Sequence, residues 1–276
     1  MPPGKLLLQT AGACDFDPDH LLNVFDQQRQ RFVAALAGFG PDDWAAPTRC
    51  PDWSAPDVVR HLCDTNVRAA GLGPHDRTLD ITAGYDPRIT PREWLTASAG
   101  ESPDATFSRF LATTEERLAR ERARLAEGTR FDVYLPHGPM DWTVRVLHGL
   151  WDSWLHERDV LLPRGMEHST DGDATAYATA YGLFTAAAMA SVFGNPVRET
   201  LTLSGGGGVF DLDGRDGVTL TATRAAVAGP PAGEAADALA GRSPVAAVLG
   251  DLPAGARSAL SLWADFFNSP VEQGPA

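Results

Sequence analysis

Apolar residues recur at Leu22, Phe25, Phe32, Val33 and Leu36, an i, i+3, i+4, i+7 spacing that predicts an amphipathic helix from about Asp19 to Gly38. Gly38, Gly40 and Pro41 stop it. From Asp43 to Trp53 two prolines and clustered polar residues predict a loop rather than regular helix. Ser54 and Asp57 then form a capping-box pair that opens a helix running through His61 to about Ala70. Residues 71 to about 91 read as a long connection. A third helix is predicted from Pro91 or Asp104 to Glu127, and a fourth from Asp141 or Thr143 to about Leu162, closed by Pro163 and Gly165. An alanine-rich helix follows from Asp173 to Phe193.

After Pro196 the texture changes. Glu199–Leu203 and Gly217–Thr223 alternate apolar and polar positions as half-buried strands do, and Asp213-Gly214 and Asp216-Gly217 between them are hairpin signals. Helical patterns return at Gly233–Leu239 and Ala254–Phe267. The expected fold class is α+β: a helical N-terminal domain over residues 1–170 and a smaller mixed domain over 171–276.

Composition narrows the function classes. Net charge is -13 and the pI about 4.9, so the chain lacks the basic surface that nucleic-acid phosphates require, and a nucleic-acid partner is not expected. Cys14, Cys50 and Cys63 are an odd number at irregular spacing, which does not form a disulfide framework and points to a reducing, cytoplasmic setting. Leu6-Leu7-Leu8 before Ala11-Gly12-Ala13-Cys14 is too short for a signal core of roughly 7–15 residues. No stretch approaches the roughly 18 apolar residues of a membrane span. The expected partner is a small molecule, acting on a monomer or homodimer.

Candidate chemistry concentrates on the fourth helix. Beside its apolar face of Leu147, Leu150, Trp151, Trp154 and Leu155 runs a polar line, His148, Asp152, His156 and Asp159, spaced by four, four and three residues. Asp152 and His156 at i, i+4 can bind one metal from one helix, and His61, beside Val58 and Leu62, is the best third ligand. Two imidazoles and a carboxylate suit a divalent ion, Zn²⁺ foremost, with Fe²⁺, Ni²⁺ or Mn²⁺ as alternatives, and leave positions open for water or substrate. The same spacing also arises in ordinary surface pairs and hydrogen-bonded core histidines, and spacing alone does not separate these readings. Cys63 points away from His61 around its helix, and Cys50 sits in the loop; both read as packing residues. Arginine is the natural clamp for a carboxylate, which makes Arg158 and Arg224 candidates for substrate or cofactor, each also readable as an ordinary surface or structural residue. The Gly205–Gly208 run lacks the Gly-Lys-Ser/Thr sequence of a phosphate loop and reads as a turn.

The stretch from Trp44 through Pro47-Thr48, Cys50-Pro51, Trp53 and Asp57-Val58 to His61-Leu62 resembles the opening motif of the mycothiol-dependent maleylpyruvate isomerase family, within the DinB-like superfamily. Asp152, His156 and Asp159 resemble its second motif, and the segment ending Ala240-Gly241-Arg242-Ser243-Pro244 resembles its sterol-carrier-like C-terminal domain. The resemblance implies a DinB-like four-helix bundle with a metal held by His61, Asp152 and His156, and a second domain closing the site. It also implies mycothiol, or another low-molecular-weight thiol, as cofactor for cis–trans isomerisation or S-transfer on an unsaturated carboxylate or carbonyl compound. The isomerase has Glu where this chain has Asp152, and His148, one turn earlier, is an alternative ligand or a group supporting the ligands. Two other readings share the scaffold: a metal hydrolase of a small amide or ester, and a non-catalytic binding or stress protein.

Overall fold

The computed structural model describes residues 5–10, 12–168 and 172–269, beginning with a strand, β1 (Lys5–Gln9). The first long helix, α1 (Pro18–Ala37), starts where the Asp17 carboxylate accepts from the backbone N–H groups of Asp19 and His20. Its apolar stripe, including Leu22, Phe25, Phe32 and Leu36, is buried as the spacing requires. Pro41 then nucleates a short helix, α2 (Pro41–Ala45), so regular structure takes in Asp43, Trp44 and Ala45 of the expected loop before the chain becomes irregular. Ser54 and Asp57 form the reciprocal box that opens α3 (Ala55–Ala70): the Asp57 carboxylate accepts from Ser54 N–H at 2.9 Å and Ser54 Oγ accepts from Asp57 N–H at 3.3 Å.

The single helix expected from Pro91 or Asp104 is two helices, α4 (Thr90–Thr96) and α5 (Pro103–Ala126). Gly100, with φ of 82°, breaks the run, and Ser102 caps the second helix. A hairpin that the sequence pattern did not reveal follows, β2 (Asp132–Leu135) paired with β3 (Gly138–Asp141). It delivers the chain to α6 (Trp142–Leu161), whose N-terminus is capped by Asp141.

Helix α7 (Asp173–Val192) is buried on nearly every side, which its alanine-rich and almost uncharged sequence permits. It packs against α1 and α6 on the helical side, and against a four-stranded antiparallel sheet and the C-terminal helices on the other. The sheet contains β4 (Arg198–Leu203), β5 (Gly208–Asp213) and β6 (Thr219–Thr223), in the order β1-β6-β5-β4. Strand β1 runs along β6 from Lys5 opposite Thr223 to Gln9 opposite Thr219, so the start of the chain completes the sheet of its C-terminal region. The chain closes with α8 (Ala232–Leu239), α9 (Val245–Val248) and α10 (Ala254–Asn268). Mixed α and β structure, helices first and a small sheet after, is the class expected. Among the described residues no helix is long and apolar enough to cross a membrane.

Helix α6 is the axis of the molecule. Every residue in it is buried except His148 and Asp152, which are half-buried on one flank. That flank faces a cavity.

Candidate metal centre and substrate cavity

Helices α3 and α6 pack together and bring His61 against the flank of α6. His61 Nε2 lies 3.5 Å from Asp152 Oδ2, and His156 Nε2 lies 3.5 Å from Asp152 Oδ1. One ligand atom from each of the three residues lies within 4.8 Å of the other two. Both imidazole–carboxylate separations are longer than a good hydrogen bond. The three groups converge on a common point and satisfy one another poorly. Trp53 covers them, its ring centred 5.0 Å from that of His61 and 5.8 Å from that of His156. Burial alone would raise the Asp152 carboxyl, but the two imidazoles beside it outweigh that and hold it far below the usual carboxylate range.

Behind His156 stands Asp159, fully buried. Its Oδ2 lies 3.1 Å from His156 Nδ1, and since an ionised carboxylate can only accept, Nδ1 carries the proton and Nε2 presents its lone pair toward Asp152 and His61. This is the carboxylate–histidine arrangement that orients metal ligands. Arg49 Nε donates to Asp159 Oδ1 at 3.0 Å, Arg242 Nη2 donates to Oδ2 at 2.7 Å, and the Cys50 thiol donates to Oδ2 at 3.2 Å. Burial would raise Asp159; the Arg242 guanidinium leads the groups that keep it well below its ordinary value. Burial, then the Asp159 charge, push the Cys50 thiol up, so it stays protonated. Cys50, His156 and Asp159 also group closely enough to hold an ion, but there the carboxylate is already matched by two guanidiniums. The His61, Asp152 and His156 set is the one with unmet donor capacity.

The centre forms part of the wall of a cavity of about 380 Å³. Other walls come from Tyr85, Pro87 and Arg88 before α4, from Pro91 and Arg92 in its first turn, from Trp151, Leu155 and His148 on α6, from Thr185 on α7, and from Trp263 and Phe267 on α10. His148 does not reach the three converging groups: its Nδ1 is hydrogen-bonded to Tyr181 Oη at 2.8 Å, and burial with the nearby Arg145 charge holds the imidazole well below its ordinary value. Arg158 is off the cavity wall, with Nε and Nη2 on Asp237 at 3.1 and 2.6 Å. Arg224 is also off it, paired with Asp173. The residues that sequence reasoning passed over are Arg49, Asp237 and Arg242. Arg49 and Arg242 stood within the quoted motifs, but nothing local signals that both reach Asp159.

Fold and site together give a helical region in which His61, Asp152 and His156 could hold a metal ion, in the wall of a cavity that is also lined by residues of the C-terminal helices. Residues 25–161 match the mycothiol maleylpyruvate isomerase N-terminal domain, and the chain belongs to that family through this domain. Two solved structures share the fold: the mycothiol-dependent maleylpyruvate isomerase, with a TM-score of 0.58, and a histidine-to-alanine mutant of it, with a TM-score of 0.53. Each is 11% identical in sequence, and the likeness covers 83% of this chain and 91% of theirs, extending beyond the helical domain. None of the curated proteins matches the chain in sequence.

Proposed function

We propose that the protein is a thiol-dependent isomerase or S-transferase working at a divalent metal held by His61, Asp152 and His156. The observation that carries this reading is the convergence of two imidazole nitrogens and a carboxylate, within 4.8 Å of one another and poorly bonded among themselves, beside an aromatic-walled cavity. Membership of the isomerase domain family supplies the thiol. A divalent ion lowers the pKa of a thiol, and a thiolate is a competent nucleophile for reversible addition to a conjugated cis double bond.

The chain's own residues do the rest. Asp159 fixes His156 in the tautomer that leaves Nε2 free. Trp53, Trp151 and Leu155 line the cavity beside the converging groups, and such apolar surroundings strengthen charge interactions there. Cys50 is not the nucleophile, because its proton is committed to Asp159. All three cysteines are free thiols, which fits a cytoplasmic enzyme that shares its compartment with a thiol cofactor.

Purified protein is expected to carry about one equivalent of Zn²⁺ or a related divalent ion per chain, lost in His61→Ala, Asp152→Ala and His156→Ala. Stoichiometric metal in all three variants would sink the site. With mycothiol and a cis-enoyl acid or ketone, metal-loaded protein is expected to yield trans isomer or thiol adduct only when both metal and thiol are present. Cleavage of a small amide or ester by metal-loaded protein without any thiol would favour a hydrolase instead.

A further inference from the structure

The charge on the cavity walls shows what kind of molecule they accept. Four arginines contribute to the lining, and each has an aspartate partner. Arg49 is bidentate to Asp237, with Nη1 and Nη2 at 2.9 and 2.7 Å, and also bonds Asp159. Arg242 is held on Asp159 at 2.7 Å. Arg88 grips Asp86 through Nε and Nη2 at 3.1 and 2.7 Å while its guanidinium lies 4.3 Å from the centre of the Phe266 ring. At the exposed rim, Arg92 pairs with Asp52 through Nη2 alone, at 2.5 Å and in contact with solvent, so the three forked guanidiniums are those of Arg49, Arg242 and Arg88. A further guanidinium, Arg145, is buried and does not line the cavity, although its charge bears on His148, which does.

A guanidinium already forked onto a carboxylate has few donors left for a second one, and an anion brought into the cavity without a partner loses its hydration uncompensated. Apart from Asp52, on Arg92, and Asp152, in the three-residue centre, the rest of the lining carries no acidic or arginine side chain, and its large side chains include Trp53, Tyr85, Trp151, Leu155, Trp263 and Phe267. The unused hydrogen-bonding capacity among these is neutral too, since the buried indole Nε1–H groups of Trp151 and Trp263 have no partner.

We infer that the electrophile accepted here has one polar end for the His61, Asp152 and His156 side of the cavity and an uncharged, aromatic or otherwise apolar body, and that a second carboxylate at the far end is rejected. The inference rests on the reading of this cavity as the substrate site. It narrows the substrate class to an apolar enoyl or carbonyl compound and away from dianions.

Two isosteric probes test it: N-(4-carbamoylbenzyl)maleamic acid and N-(4-carboxybenzyl)maleamic acid. They share a cis-enoyl head and one carboxylate and differ only in charge at the far end. Titrated into metal-loaded protein and followed by quenching of tryptophan fluorescence, the carbamoyl compound is expected to bind at least about tenfold more tightly. Equal or tighter binding of the carboxy compound, or no binding of either up to about 1 mM, overturns the inference. Asp86→Asn keeps an oxygen for the Arg88 backbone N–H but frees the Arg88 guanidinium, and is expected to narrow the gap several-fold by tightening the carboxy compound. An unchanged gap in that variant overturns ion pairing as the cause of rejection. If the binding order holds but neither probe forms an adduct or isomer with mycothiol, the proposed thiol chemistry fails and this inference stands.

Discussion

Asp159 touches the imidazole of His156, two guanidiniums and a thiol from a fully buried position. An isolated carboxylate so placed would protonate; the surrounding donors keep it ionised. Its charge is what fixes the His156 tautomer, so its influence on a bound ion is exerted through another residue. Asp159→Asn preserves the side chain's shape but removes the charge, and an amide can turn its NH₂ toward Nδ1 and favour the wrong tautomer. Metal affinity is expected to fall by about 10–100-fold, measured by competition with a chromophoric chelator. Affinity equal to that of the parent protein would reduce Asp159 to a structural ion-pair partner.

At the scale of elements, α6 meets conflicting demands: it buries 18 of its 20 residues yet must present His148 and Asp152 to a cavity. Gly149 lies between those two positions for a packing reason. An added Cβ there would stand 2.0 Å from Nη2 of Arg117, a buried guanidinium held by Glu121 at 2.9 Å and packed against the Phe25 ring. Helix propensity favours Gly149→Ala by up to about 1 kcal/mol. The collision works against it, and because Arg117 has nowhere to swing, overpacking dominates: a net destabilisation of about 1–3 kcal/mol is expected from urea unfolding. A variant more stable than the parent would show that the guanidinium yields.

Across the whole molecule, one buried ionic cluster ties the motif loop, α6 and the C-terminal helices together, with Arg49, Arg158 and Arg242 on Asp159 and Asp237. Burial opposes ionisation of Asp237, but hydrogen bonds from Arg49 and Arg158 prevail and lower its pKa; Asp159 is lowered likewise. A carboxyl whose pKa is lower folded than unfolded adds stability that is fully present above the unfolded value of about 3.9 and is lost as pH falls below it. The thermal midpoint is therefore expected to drop between pH 6 and pH 3.5. Asp237→Asn should be less stable than the parent at pH 6 and should lose less on acidification. Parallel losses in the two proteins would show that Asp237 does not contribute to the acid sensitivity.

What is local along the chain was legible in the sequence. The apolar stripe of α1, the Ser54–Asp57 box of α3 and the Asp152–His156 pair on α6 follow from a period of 3.6 residues and from terminal N–H groups that need partners. The motif from Trp44 to Leu62 carries the resemblance to the family whose N-terminal domain residues 25–161 match. Tertiary structure alone decided which members of the polar line do what: His148 turns to Tyr181, Asp159 to Arg49 and Arg242, and Asp152 toward His61 on another helix. It also drew β1 into a sheet with β6 and turned Arg158 away from the cavity onto Asp237. Periodicity specifies which residues share a face, but the partner of that face depends on which surfaces are buried together, and those lie far apart along the chain.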